Sequence, residues 1–102
     1  MVVEQADEIF HALADATRRD ILAAVLQSDH SVSELARRYP MSFAAVQKHV
    51  SALERAGLVT KTRQGREQRV RGDVQTVQSV HGLLDQLEAL WRGRIDRMDQ
   101  LL

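Results

Sequence analysis

The sequence predicts a mainly α-helical fold carrying one small β-hairpin, and three observations predict it. Apolar residues recur at helical spacing in Ile9/Phe10/Leu13, Ile21/Leu22/Val25/Leu26 and Val46/Val50/Leu53, and again from Val77 onward. Helix-capping side chains (Asp15, Ser31, Ser42 and Asp73) stand ahead of four candidate helices. Only between Gly57 and Gly72 does the pattern become extended, with residues 58–63 and 66–71 flanking Gln64-Gly65. A chain of 102 residues, 44% apolar and 27% charged, fills one packed soluble domain and not two.

The first helix is expected around residues 5–13, within an N-terminal part spanning 1–14. Asp15 caps the second, from Ala16 to about Gln27, with Arg18 and Arg19 in its first turn. Cations there oppose the helix dipole, so an anion is expected beside them: a phosphate from outside, or Asp15 or Asp20 from within. Ser31-Val-Ser-Glu34 fits a capping box, and the helix it opens should end near Arg38, ahead of Pro40, the sole proline. Ser42 caps a fourth helix from Phe43 to about Ala56, which Gly57 stops. Two helices joined by a three- or four-residue turn and followed by a basic hairpin make a winged helix-turn-helix over residues 15–72.

Asp73 caps a last helix over 73–102, roughly 29 residues or ~44 Å long at 1.5 Å per residue. So small a domain cannot cover it. Its heptad a and d positions are Val77, Val80, Leu84, Leu87, Trp91, Arg94, Met98 and Leu101, apolar at all but Arg94. Leu83, Leu90, Ile95 and Leu102 widen the stripe. A second copy of the helix is its simplest cover, which makes Val77, Val80, Leu84, Leu87, Trp91, Met98 and Leu101 the candidate dimer interface.

Charge cancels over the whole chain, 14 basic against 14 acidic side chains, but not along it. Residues 1–30 carry 2 basic and 6 acidic groups, 31–71 carry 9 and 3, and 72–102 carry 3 and 5. One cationic middle suits a single face offered to a polyanion. The absence of cysteine removes disulfides, thiolate metal sites and cysteine nucleophiles. No nucleophile stands beside a base and no glycine-rich phosphate loop is present, so an enzyme is not expected. The N-terminus has no basic leader, and the longest apolar run, residues 21–26, is far below the ~20 residues of a membrane span, so a cytoplasmic protein is expected.

The stretch Ile9-Phe-His-Ala-Leu-Ala-Asp-Ala-Thr-Arg-Arg-Asp-Ile-Leu22 resembles the opening of the ArsR-type bacterial winged-helix repressors, with Ala16 where a proline is usual. Ser31-Val-Ser-Glu-Leu-Ala36 resembles their third helix, and residues 42–59 resemble their recognition helix and the start of the wing. The resemblance covers about residues 8–72, and residues 90–101 look like the tail of a cysteine-free branch. It implies a homodimer on a near-palindromic operator, commonly repressing its own transcription unit. Where metal-sensing relatives carry a Cys-Val-Cys pair, this chain has Ser31 and Ser33. The spacing of their other metal site, started from Asp73, falls on Gln75, Gln86 and Ala89, so neither a metal nor a cofactor is implied.

On this reading Ser42, Ala44, Gln47, Lys48 and Ser51 form the side of the fourth helix that a major groove meets. Phe43 stands where relatives often have glutamine or proline, and either touches a thymine methyl or packs inward. His49 either contacts DNA or holds the helix against the wing. Arg63, Gln64, Arg66 and Arg69 cluster on the wing, in reach of phosphate or the minor groove. His81, Asp85 and Glu88 share a face of the last helix, but a solvated surface is the expected reading, and His11 and His30 are isolated. The alternative use of this fold is a protein-interaction adaptor, which would lack salt-sensitive DNA affinity.

Overall fold

A computed structural model describes residues 3–100. The elements are α1 (Val3–Leu13), α2 (Ala16–Gln27), β1 (His30–Ser31), α3 (Val32–Ala36), α4 (Phe43–Arg55), β2 (Val59–Gln64), β3 (Glu67–Gly72) and α5 (Val74–Gln100). The fold is the expected mainly helical winged helix with a long C-terminal helix. Leu101, expected at the dimer seam, lies outside the described residues.

Each of α2 to α5 begins where a side chain satisfies free backbone N–H groups. Asp15 accepts from the Arg18 amide at 3.0 Å, Ser31 from Glu34 at 3.0 Å, Ser42 from Ala45 at 3.1 Å, and Asp73 from Gln75 at 3.0 Å and Thr76 at 3.2 Å. α4 ends in a Schellman motif: Gly57, at φ 79°, donates to Glu54 O at 2.9 Å, and Leu58 donates to Leu53 O at 3.0 Å. Leu53 and Leu58, both fully buried, supply the apolar contact that accompanies it.

Three details depart from the sequence reading. α3 closes at Ala36 rather than near Arg38, because the Arg38 amide bonds to Leu35 O and tightens the last turn, so the connection to α4 is longer than expected. The hairpin turn is Gly65-Arg66, one residue later than Gln64-Gly65, and Gln64 pairs with Glu67 across it. Gly65 has φ 62° while no non-glycine residue among the described ones has positive φ, the pattern of a type II′ turn, which places its glycine first. The hairpin is also not alone: β1 pairs antiparallel with β3, His30 facing Val70 and Ser31 facing Arg69, giving a three-stranded sheet in the order β1-β3-β2.

The core joins Ile9 of α1, Ile21 and Val25 of α2, Leu35 of α3, and Val46, Val50 and Leu53 of α4 to Leu58 just ahead of β2 and to Val59 and Val70 of the sheet. Val80 belongs to this core, only 9% exposed, and Val77 packs against it. The sequence reading set both at the dimer seam; in the single chain the first turns of α5 pack on their own protomer. Beyond them the helix leaves the domain, with Leu84, Leu87, Leu90, Trp91, Ile95 and Met98 exposed. The radius of gyration of 17.6 Å, against ~13 Å for a compact chain of this length, and the 65 × 25 × 24 Å extents reflect that protrusion. No described helix is long and apolar enough to cross a membrane.

Candidate nucleic-acid interface

Helical spacing turns Val46, Val50 and Leu53 of α4 inward, and so directs Ala44, Gln47 and Lys48 to solvent, with Ser42 at the cap and Ser51 half-buried. An open depression of about 710 Å³ runs along this side, lined by Ala44, Gln47, Lys48, His49, Ser51 and Arg55 of α4 and by Arg18 of α2. Arg55, one of the nine cations of the basic middle, is not among the expected DNA contacts, although it follows Ser51 at i+4 and Lys48 at i+7. A second depression of about 270 Å³ separates α4 from the wing, where Phe43 and Gln47 face Arg63, Arg66 and Gln68. Phe43, open between two readings, is 46% exposed and faces this crevice. Gln47 lines both depressions, at the junction of helix and wing.

The hairpin's cations divide into two groups. Arg63 and Arg66 are exposed, as is Gln64 between them, and neither arginine pairs with a carboxylate among the described residues. Arg71 grips Asp29 through Nε at 3.1 and 3.2 Å and Nη2 at 2.9 Å. That hydrogen bonding holds the Asp29 carboxyl below its usual value and raises the guanidinium's. Lys61 pairs with Glu54 at 3.4 Å. Arg69 is half-buried and donates to Glu34 Oε1 at 3.3 Å and to the Asp29 carbonyl at 3.2 Å. Arg69, expected among the phosphate contacts, is thereby engaged within the protein as a strut between the wing and α3.

Arg18 and Arg19 resolve in a way that neither a phosphate nor an aspartate pair foresaw. Arg19 Nη1 donates to Leu13 O at 2.6 Å and Arg18 Nη1 to His11 O at 3.3 Å, so the cations that oppose the dipole of α2 serve the C-terminal carbonyls of α1. Arg18 Nε also donates to His49 Nδ1 at 3.2 Å. His49 thus braces α4 against α2, not against the wing. The Arg18 amide, bonded to Asp15, is the main cause holding that carboxyl below its usual value. Tyr39 Oη donates to Asp20 Oδ2 at 2.5 Å and fastens the α3–α4 connection to α2; burial, then this bond, pushes the phenol up to about 12.

On α5, His81 Nδ1 lies 3.3 Å from Asp85 Oδ2, and Glu88 pairs with Arg92. No group of three metal-ligating side chains comes together among the described residues. The guanidinium of Arg94, the polar heptad position, lies 5.6 Å over the Trp91 ring.

A capped helix with a polar outer face, held beside a wing that ends in two free arginines, defines the winged helix-turn-helix class of nucleic-acid-binding modules. The model of the bacterial regulatory protein, arsR family, matches residues 15–61. An ArsR-like transcriptional regulator from Rhodococcus sp. RHA1 is 34% identical, with TM-score 0.85, over 97% of this chain and 93% of that one. The chain belongs to the ArsR family, whose members are transcriptional regulators rather than enzymes. The HTH-type transcriptional regulator Rv2034 of Mycobacterium tuberculosis is 43% identical over 53 residues, 52% of this chain, and the match spans 50% of that protein's length. A homodimeric winged helix-turn-helix DNA-binding domain from Mycobacterium bovis is 25% identical with TM-score 0.69, over 85% of this chain and 81% of that one.

Proposed function

We propose that this chain acts as one unit, a homodimeric DNA-binding repressor that reads a near-palindromic operator and controls its own transcription unit. The observation that carries the reading is the division of cations. Arg63 and Arg66 of the wing stand unpaired on the side where Gln47 and Lys48 of α4 face out, whereas Lys61, Arg69 and Arg71 of the same hairpin are bound to carboxylates. Gln47 and Lys48 face base edges while Arg63, Gln64 and Arg66 hold the sugar-phosphate backbone. The exposed Leu84, Leu87, Trp91 and Met98 supply the dimer seam, a reading supported by the homodimeric Mycobacterium bovis domain. A two-fold dimer presents two copies of α4, hence the near-palindrome.

The regulator does not release DNA on binding metal at the usual family sites. Ser31 stands in the third-helix ligand position, is buried, and has its hydroxyl committed to the Glu34 amide. The test is recovery of genomic fragments by the purified chain, followed by titration of salt and of zinc, cadmium or arsenite into the complex. The reading expects the chain's own upstream region among the fragments, affinity that falls steeply with salt, and no metal-induced release. Salt-insensitive or absent DNA binding overturns it.

A further inference from the structure

The Arg18–His49 hydrogen bond ties α2 to the recognition helix and determines the chemistry of the imidazole. A guanidinium has donors only and stays protonated in proteins. His49 Nδ1, 3.2 Å from Arg18 Nε, must therefore accept with its lone pair. An imidazolium has no such lone pair, so this bond calls for a neutral ring with its one proton on Nε2. Asp15 Oδ1, the rival partner for Nδ1, stands 4.0 Å away, beyond hydrogen-bond distance, and already accepts from the Arg18 amide. The ring is 20% exposed and borders the depression that Lys48 and Gln47 also line, on the flank of α4 turned away from the wing crevice.

We infer that His49 meets DNA as a neutral donor, Nε2–H to a backbone phosphate, and that Arg18 is the positioning residue that fixes the tautomer and aims the ring. One N–H donor from the flank of a helix suits the phosphates on the groove wall, because base discrimination draws on paired contacts to base edges. Arg18 then contributes to binding through His49 and not by its own charge. The inference rests on the DNA-binding reading and assigns two residues within it.

The first experiment needs no DNA. In protein labelled with ¹⁵N-histidine, two-bond proton–nitrogen correlations at neutral pH should show His49 with bare Nδ1 and protonated Nε2, its signals identified by their loss in His49→Ala. The Nδ1–H tautomer, or an imidazolium paired with Asp15, overturns the assignment. The second uses a duplex enriched from a random library by the wild-type chain. His49→Ala and Arg18→Met should each weaken binding about tenfold or more, the double variant no further than either alone, with the slope of log affinity on log salt unchanged in all three. Additive losses, or a slope reduced by about 2 in Arg18→Met alone, would make Arg18 itself the phosphate contact. His49→Gln keeps a donor at the ε position and should retain more affinity than His49→Asn, which keeps one at δ; the reverse order sinks the proposal. Thermal melts exclude unfolding as the cause, and should Arg18→Met fail to fold, the wild-type spectra and the Gln/Asn order still decide. A wild-type chain that enriches no duplex overturns the DNA reading and the phosphate contact together, and the spectra recorded without DNA distinguish that failure from a wrong tautomer.

Discussion

Replacing Arg66 by alanine should alter the salt dependence of DNA binding far more than replacing Arg71, although both residues are exposed arginines of the same hairpin. Arg71 is neutralised within the protein, giving three hydrogen bonds to the Asp29 carboxylate, while Arg66 has no carboxylate partner among the described residues. A cation that neutralises a phosphate releases its counterions, and each such contact contributes about 0.9 to the slope of log affinity against log salt on B-DNA. Counting the unpaired, outward Arg63 and Arg66 in two protomers gives a wild-type slope of about −4. Arg66→Ala removes two contacts and should reduce its magnitude by about 2, with Arg63→Ala behaving alike. Arg71→Ala should change it by less than about 0.5, and since the lost ion pair is exposed and screened by solvent the variant should stay folded. The measurement is fluorescence anisotropy of a labelled duplex titrated between about 50 and 200 mM salt, the range over which such slopes are large. Equal reductions in the two variants would refute the division of cations into free and paired, and an unchanged slope in Arg66→Ala would remove the wing from the backbone.

Gln47→Ala should cost ~1–3 kcal/mol on the operator and little on scrambled duplex, measured by competition binding, because Gln47 reads a base edge and supplies no charge. Leu87 is 56% exposed in the single chain, and covering its free half against a partner contributes ~1 kcal/mol per copy. Leu87→Asp forfeits that twice and buries a carboxylate, so the dimer dissociation constant should rise at least ~30-fold in sedimentation equilibrium; a wild-type-like dimer would contradict the seam. The Tyr39 phenol is held up to about 12, above its ordinary 10.0, so the stability it contributes is intact below pH 10 and drains as pH climbs through about 12. Tyr39→Phe should melt with less dependence on pH across that window, and the chain's single tyrosine allows the ionisation itself to be followed by ultraviolet absorbance.

Local signals carried most of the fold. Asp15 and Gly57 mark helix ends by satisfying backbone groups a few residues away, so the limits of α2 and α4 are legible in the sequence. β1 is not, because a two-residue strand has no period of its own and exists only through its pairing with β3. Heptad spacing placed Val77 and Val80 on the same stripe as Leu84 and Leu87, but periodicity says which residues share a face and not whether their own domain or a partner covers it. The outward face of α4 followed from the same periodicity. The Arg18–His49 bond joins residues 31 positions apart, and Arg69 finds Glu34 across 35; nothing in the local pattern distinguishes them from free cations.

Ser31 belongs to two structures at once: its backbone pairs with Arg69 of β3, and its hydroxyl starts α3, the first helix of the helix-turn-helix. Arg69 returns from the wing to Glu34 on that same helix. The wing is therefore not a hinged flap but one jaw of a caliper, whose other jaw is the recognition helix and whose opening is set by the protein. A half-site must present its groove edge and its backbone at that fixed spacing. Shifting the wing's phosphates by one base pair relative to the bases under Gln47 would move them by about 3.4 Å along the duplex, a displacement that the DNA would have to absorb by bending.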